Sequence, residues 1–511
     1  MNAETPSRQS GRRKIRRRST AIPQRPWGQP RHDHGFIEPL SADELEATHE
    51  TSLRILSEIG IYFHDDEARD LFAAAGALVD AGSHNVRLGR EIVEEALASV
   101  PSSFRIVSWN PERALVIGDG RMAFTTVLGP PNCSDLERGR RPGTLEDFRD
   151  FVRLGHHFNI IHMMGGSPVE PMDIDVPVRH LESTRTMLRA TDKVPYVFCH
   201  TRKRIHDVLD MIAITKGTTR DRLETSTYAI IHTNSPLQYD SPMAGGVIEL
   251  ARHNQAVLLT PFSLAGATMP VALAGAIAMS NAEMLAGLVL SQLARPGAPF
   301  VTGAKTLNVD MKTGAPAFGS PDGNKAIQIG GQLARRYGLP FRGSNFTSSN
   351  APDFQAGAES QGTLWSAVTS GASLVMHAAG WLEGGLCSSF EKFVLDVDLL
   401  QAMAAYLEPV AVNADTLAID EIREVGPGGH FFGTDQTLAD YEGAFYNPLV
   451  ATTQNYGAWV EAGAPDATQR AHRLFKQALE EYRQPVMEDE RAQALDAFVA
   501  RRIEEGGAGI D

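Results

Sequence analysis

Only three cysteines stand in 511 residues, Cys133, Cys199 and Cys387, odd in number and far apart. Such a set makes no disulfide framework and fits a reducing cytoplasm. No two His or Cys residues have the close spacing of a structural zinc site. Cys199 and His200, neighbours on an extended run, would point to opposite faces, so no metal site is expected. A Gly-x-Ser-x-Gly elbow and a Walker phosphate loop are both missing. The longest apolar stretch, from Pro270 to Leu293, is interrupted by Ser280, Asn281, Glu283 and Gln292. It reads as a buried helix rather than a membrane span. Positive charge is short as well: 48 basic against 62 acidic side chains leave a net charge of -14. That balance argues against nucleic acid as the main partner. Arg12, Arg13, Lys14, Arg16, Arg17 and Arg18 crowd near the start. With no apolar run behind them a twin-arginine export signal is excluded, and residues 1–35 are expected to be a solvated, disordered tail.

What is present is alternation. Residues 36–120 mix helical and short extended pieces and are expected to form a small α/β cap. In it, Ser41 and Glu44 have the spacing of a capping box, in which hydroxyl and carboxylate satisfy reciprocal free amides. Eight short β-rich runs then follow in series: Met122–Val127, Ile160–Met164, Tyr196–Cys199, Tyr228–His232, Val257–Phe262, Phe300–Thr302, Phe341–Gly343 and Leu374–His377. Stretches of helical period separate them, among them 145–154, 178–190, 204–215, 272–293, 325–337 and 359–370. Strand and crossover helix in eightfold alternation predict an α/β fold, a (β/α)8 TIM barrel over residues 121–405. An open doubly wound sheet is the alternative, but Gly129-Pro130-Pro131-Asn132 after the first run is no nucleotide loop. Residues 406–511 are expected to be a loop followed by helices near 469–482 and 491–503.

A barrel of this kind carries its site on the loops at the carboxyl ends of its strands. That rule selects Asn234 and Tyr239 after the fourth run, Phe262 after the fifth, Phe346 after the seventh, and Trp381, Glu383, Gly384 and Gly385 after the eighth, which His377 ends. Aromatic residues make up only 7% of the chain, yet Tyr239, Phe262, Phe346 and Trp381 all fall at expected mouth positions. Rings facing a pocket attract a quaternary ammonium, by roughly 0.5–2 kcal/mol each. Packing of loops onto the barrel is the plainer use of any single ring. Gly384, Gly385, Gly428 and Gly429 would permit close backbone approach to something large.

Several stretches carry a family likeness. They are Gly60-Ile61-Tyr62-Phe63 with Leu71-Phe72-Ala73-Ala74-Ala75-Gly76, then Gly380-Trp381-Leu382-Glu383-Gly384-Gly385-Leu386 with Glu391-Lys392-Phe393, and Gly426-Pro427-Gly428-Gly429-His430-Phe431. In these the chain resembles the trimethylamine methyltransferase family from about Phe36 to the C-terminal helices. The resemblance implies a barrel that hands a methyl group to Co(I) of a cobalamin, a corrinoid carried transiently by a small partner corrinoid-binding protein. Founding members use pyrrolysine, and the matching position here is Phe346. An ordinary residue there is similar to members that act on quaternary amines such as glycine betaine. The chain departs from the family pattern in having no histidine between Gly433 and Thr437. Carried over, the resemblance implies catalytic roles for Glu383 and His377 and substrate contacts from Phe346, Trp381, Phe262, Tyr239 and Asn234. Gly384, Gly385, Gly428, Gly429 and His430 would face the corrinoid. No Asp-x-His-x-x-Gly segment is present to bind cobalamin permanently, and a homo-oligomer is expected. A zinc-dependent barrel methyltransferase, a trimethylamine enzyme and a non-catalytic binding protein for methylated osmolytes are the competing readings.

Overall fold

The computed structural model describes residues 21–80, 82–303, 305–441 and 443–509. The basic cluster at Arg12–Arg18 lies outside the described residues. The expected capping box is present: Ser41 caps the helix Ala42–Arg54 and Glu44 returns the bond to the cap backbone. This helix and Arg90–Ser99 pack on the long helix Leu273–Ala294. That last helix is apolar all round because it is enclosed all round. It is the one described helix long and apolar enough to cross a membrane, and 78% of its most apolar window is buried within the fold.

The centre is a mixed α/β layer structure around a parallel sheet. Its strands are β1 (Ala123–Thr126), β2 (Tyr228–Ile231), β3 (Ala256–Leu259), β4 (Phe300–Gly303), β5 (Phe341–Ser344) and β6 (Leu374–Ala379). Their spatial order is β1-β6-β5-β4-β3-β2, every pairing parallel. Helices lie between the strands and after the last of them: α1 (Leu145–His157), α2 (Val176–Ala190) and α3 (Arg202–Lys216) between β1 and β2, then α4 (Ser241–Arg252), α5 (Leu273–Ala294), α6 (Pro321–Tyr337) and α7 (Phe354–Thr369) between successive strands, and α8 (Phe390–Tyr406) after β6. The sheet is buried on both faces, as parallel sheets must be, so its strands read as apolar runs instead of alternating ones.

Two expected strands are not ladders. The runs at 160–164 and 196–199 make only isolated parallel bridges, Thr125 with Met163, Met163 with Val194, and Tyr196 with Tyr228. The causes are local. The Phe124 amide donates to His162 Nδ1 at 3.1 Å rather than to a neighbouring carbonyl, and Pro195 has no amide to give. Single backbone bonds still link these segments to the sheet, His162 to Phe124 at 2.8 Å, Met164 to Val194 at 2.9 Å and Val197 to Tyr228 at 3.0 Å.

Above the strand ends lies architecture the periodicity did not announce. Phe262–Ala265 pairs in parallel with Lys305–Asn308, extending β3 and β4 outward. A four-stranded sheet of Trp381–Leu382, Cys387–Ser389, Asn132–Asp135 and Gly139–Pro142 folds beside it. Gln238–Tyr239 leaves the central sheet and joins the cap strand Ile61–Phe63.

Candidate active site

At the carboxyl ends of β5 and β6 four rings and a histidine meet. The centroids of Phe346 and Trp381 lie 5.1 Å apart, His377 and Trp381 4.6 Å, and Phe346 and His377 5.5 Å. Phe318 stands 5.2 Å from Phe346 and 5.5 Å from Trp381, and Phe262 stacks beyond it at 6.4 Å. Val127 and Leu307 complete this cluster, which is separate from the main core.

Backbone irregularity aims these side chains. The register of β6 against β1 breaks between Val375 and Ala379, and His377 sits within the break at φ 54°. A non-glycine residue holds that conformation only when its surroundings over-determine it, and bulges of this kind re-aim side chains beside sites. Asn345 braces the segment, its amide donating to the Met376 carbonyl at 3.0 Å and its side chain to the Ala378 carbonyl at 3.0 Å. The Trp381 indole N–H donates to the Thr347 carbonyl at 3.0 Å. Glu383 and Gly384 donate backbone bonds to the Ser349 and Thr347 carbonyls, which ties the loops after β5 and β6 together. Gly385, at φ 99°, has no side chain because a Cβ there would lie 2.5 Å from the Trp381 ring.

Glu391-Lys392-Phe393 anchors this assembly from below. Lys392 donates to Ser360 Oγ at 2.9 Å and pairs with Asp396, whose other oxygen accepts from the Gly380 amide at 2.9 Å. Glu391 accepts from the Leu136 amide at 2.9 Å and contacts His472 at 2.7 Å, joining the four-stranded sheet to the C-terminal helices. These are structural uses of a motif picked out from the sequence.

A cleft of about 800 Å³ opens over the aromatic cluster, with Phe262, Phe318, Asp310, Glu359, Glu383 and Gly384 in its wall. Its rim is acidic. Backbone bonding from Lys312 holds the Asp310 carboxyl below its ordinary range. Glu359 accepts from Thr347 Oγ1 at 2.5 Å and from the Ser348 amide at 2.8 Å. Arg140 Nε reaches both oxygens of Glu383, at 2.9 and 3.0 Å. A pocket with aromatic walls and carboxylates at its edge suits a cation stripped of hydrogen-bond donors.

The structure therefore brings Phe346, Trp381, His377, Phe262, Glu383, Gly384 and Gly385 to one place. Tyr239 is a correction: it is fully buried in the cap, stacked on Phe63 at 4.7 Å, with its hydroxyl on the Glu283 carbonyl at 2.8 Å. Pairing with Ile61–Phe63 pulled it from the mouth. Asn234 is exposed, and its amide closes a turn with Asp240. Its hydrogen bonds serve that turn. Gly428, Gly429 and His430 lie on an exposed segment, where the His430 ring neighbours Phe432 at 6.0 Å.

Three contributors escaped the sequence reading. Phe318 belongs to a long excursion beyond β4 and follows no strand directly. Glu283, within α5, is wholly buried and accepts from Thr233 Oγ1, Ser235 Oγ and the Leu237 amide at 2.5–2.7 Å, holding the loop after β2. Arg342, on β5, is wholly buried too. Nothing in its neighbours Phe341 and Gly343 marks it out in the sequence.

All three cysteines are buried free thiols. Burial pushes Cys133 and Cys199 up to about 12 and Cys387 up to about 11, leaving them protonated at neutral pH. Among the described residues, His206–Glu249–His253 and Glu46–His49–Glu50 are the groups whose potential ligand atoms come within 4.8 Å of one another. Neither contains a cysteine. Glu249 is already paired with Arg202 at 2.7 Å.

A family model described as trimethylamine methyltransferase matches residues 7–507. The glycine betaine methyltransferase of Desulfitobacterium hafniense is 34% identical over 471 residues, 92% of this chain and 98% of that protein. A trimethylamine methyltransferase of the same species is 29% identical, over 92% of this chain and 94% of its own. Methanosarcina barkeri has one at 27%, over 90% and 94%. The solved monomethylamine methyltransferase of M. barkeri superposes with a TM-score of 0.49 at 10% identity, over 88% of this chain and 90% of that one.

Proposed function

This chain belongs to the trimethylamine methyltransferase family, and on that premise we propose that it moves a methyl group from a quaternary amine, glycine betaine-like, to the corrinoid of a separate small protein. The observation that carries the reading is the cluster of Phe262, Phe318, Phe346 and Trp381 behind an acidic rim. Phe346, Trp381 and Phe262 hold the ammonium by their faces and exclude water around it. No proton has to be delivered: the carbon–nitrogen bond breaks with its electron pair on nitrogen, and the product is a neutral tertiary amine. The corrinoid, reduced to Co(I), supplies the electron pair of the new bond. Its broad, flat macrocycle suits a cleft that is open and bordered by Gly384 and Phe318.

His377 fixes the inner wall against Trp381 and Phe346. Glu383 acts as a positioning residue, because its carboxylate is held by Arg140. Gly384 and Gly385 form the turn at which the corrinoid approaches, and the exposed Gly428, Gly429 and His430 meet its carrier. The bridges at Met163, Val194 and Tyr196 support a further reading of the sheet as a (β/α)8 barrel, closed by the segments 160–164 and 194–197. On this view residues 36–120 are the cap, 121–405 the barrel and 406–511 the C-terminal segment. Three buried thiols fit the reducing cytoplasm.

The test is a transfer assay with tag-free protein, a reduced corrinoid protein and matched amines, followed by the visible spectrum of the corrinoid. Glycine betaine is expected to methylate it and trimethylamine to leave it unchanged. Strong turnover of trimethylamine, or silence with every quaternary amine, overturns the reading.

A further inference from the structure

Away from the aromatic cleft, two imidazoles and a carboxylate converge where α3 packs beside α4. His206 stands on α3, Glu249 on the last turn of α4, and His253 caps that helix. His206 Nε2 lies 2.7 Å from Glu249 Oε2, and His253 Nε2 lies 3.7 Å from the same oxygen. The three ligand atoms fall within 4.8 Å of one another. The two rings are nearly perpendicular, with centroids 5.6 Å apart.

Helical spacing explains the convergence. Residues four apart share one face of a helix, so Glu249 and His253 make one pair of donors on α4. On α3 the matching residue is Asp210, one turn beyond His206. Burial raises the Asp210 carboxyl from its ordinary range, while Arg220, His206 and His253 pull the other way, which puts it beside both rings. Arg202 holds the other oxygen of Glu249, Oε1, at 2.7 Å and thereby fixes the carboxylate with Oε2 turned to the histidines. That arginine is itself answered by Asp65 at 3.1 Å and Glu67 at 2.8 Å, and Arg252 by Glu67 at 2.5 Å. The Oε2 side of Glu249 is left to the imidazoles.

We propose that His206, Glu249 and His253 form a binding site for a divalent transition metal of the zinc class, with Asp210 or water completing its shell. Two imidazoles and one carboxylate oxygen suit zinc, whereas magnesium and calcium favour oxygen donors throughout. Donors on a tetrahedral ion with bonds of about 2.0–2.2 Å stand roughly 3.3 Å apart. The separations of 2.7 and 3.7 Å bracket that value. The metal takes the place of the proton that His206 shares with Glu249, and the ring keeps its proton on Nδ1. Such an ion would clip α3 to α4. The segment leading into α3 is joined to β2 by only an isolated bridge, Tyr196 with Tyr228, so the clip braces a thinly bonded part of the fold.

Calorimetric titration of the EDTA-treated full chain with zinc ions tests the site, beside thermal melts with and without zinc. A single equivalent is expected to bind and to raise the Tm, because a ligand of the folded state stabilises it. Losing an outer-shell partner already costs a metal site roughly tenfold in affinity or more, so His206→Ala and His253→Ala should each cost at least that and abolish the rise in Tm. Glu50→Gln, in the Glu46–His49–Glu50 group, should leave both readouts unchanged. No binding, binding indifferent to both histidine changes, or binding lost in Glu50→Gln overturns the assignment. Should the histidine variants fail to fold, the wild type decides by diethyl pyrocarbonate labelling read by mass spectrometry. Zinc is expected to protect His206 and His253, and equal labelling with and without zinc overturns the site.

Discussion

Phe346 and Trp381 are each at least 96% buried, at 1% and 4% exposure, yet they sit behind a cleft instead of within the main core. They pack against each other, Phe318 and His377, in a cluster that also holds Val127 and Leu307. Removing one ring leaves the others in place and takes away one cation–π face. Phe346→Ala and Trp381→Ala are each expected to weaken quaternary-amine binding by about 1–2 kcal/mol, roughly tenfold, in a calorimetric titration. Unchanged affinity in both variants would place the amine elsewhere. Trp381 carries a second duty through its indole bond to Thr347, and its variant should melt lower than Phe346→Ala for that reason.

At the level of elements, the site depends on strands that depart from regularity. The break in β6 aims His377, and Asn345 at the end of β5 supplies the two bonds that stabilise the break. His162 has a comparable place beside β1, the strand paired with β6. Its Nδ1 accepts from the Phe124 amide and its Nε2 donates to the Gly28 carbonyl at 3.0 Å, so both nitrogens are satisfied only in the neutral ring. Burial first of all lowers its pKa from 6.5 to about 4. Below pH ~6.5 the unfolded chain therefore takes up a proton that the folded chain refuses. The contribution of this histidine is complete above that pH and is lost progressively as the pH falls toward the folded value, by on the order of 3 kcal/mol. Denaturant titrations at several pH values should show a shallower acid dependence for His162→Gln than for the wild type. Equal slopes would show that the ring is not held neutral.

On the scale of the whole molecule, the segment from about 410 to 460 stands apart. It exposes Val410, Val412, Phe432 at 83% and Phe445 at 86%, with Tyr456 beyond them. Apolar side chains that dense in one stretch are ordinarily covered by another protein surface. We expect the chain to associate with its own copies through the exposed Phe445 and Tyr456 of this segment, leaving His430 to the corrinoid carrier. Light scattering should give a mass above that of one chain, and Phe445→Asp combined with Tyr456→Asp should lower it. A monomeric wild type would overturn the expectation.

What the sequence determined by itself is whatever short-range physics controls. Alternating apolar runs and helical stretches specify the order of elements, and Ser41 with Glu44 specifies a helix start. Consecutive strands joined by one crossover helix usually lie side by side, which favours an approach of Phe346 to Trp381, and the pairing of β5 with β6 brings it about. Position in the chain carries no such constraint once a loop can pair with something distant. Tyr239 looked like a mouth residue until Gln238–Tyr239 bonded to Ile61–Phe63, nearly 180 residues earlier. Phe318 reaches the site only because the excursion after β4 folds back over it. His162 takes a backbone amide that a ladder would have used, and Arg342 is remarkable in no local respect. Its guanidinium nitrogens lack hydrogen-bond partners only where β5 faces the interior with Tyr196 and Tyr228, because the partners a buried charge meets are set by strands far away in sequence.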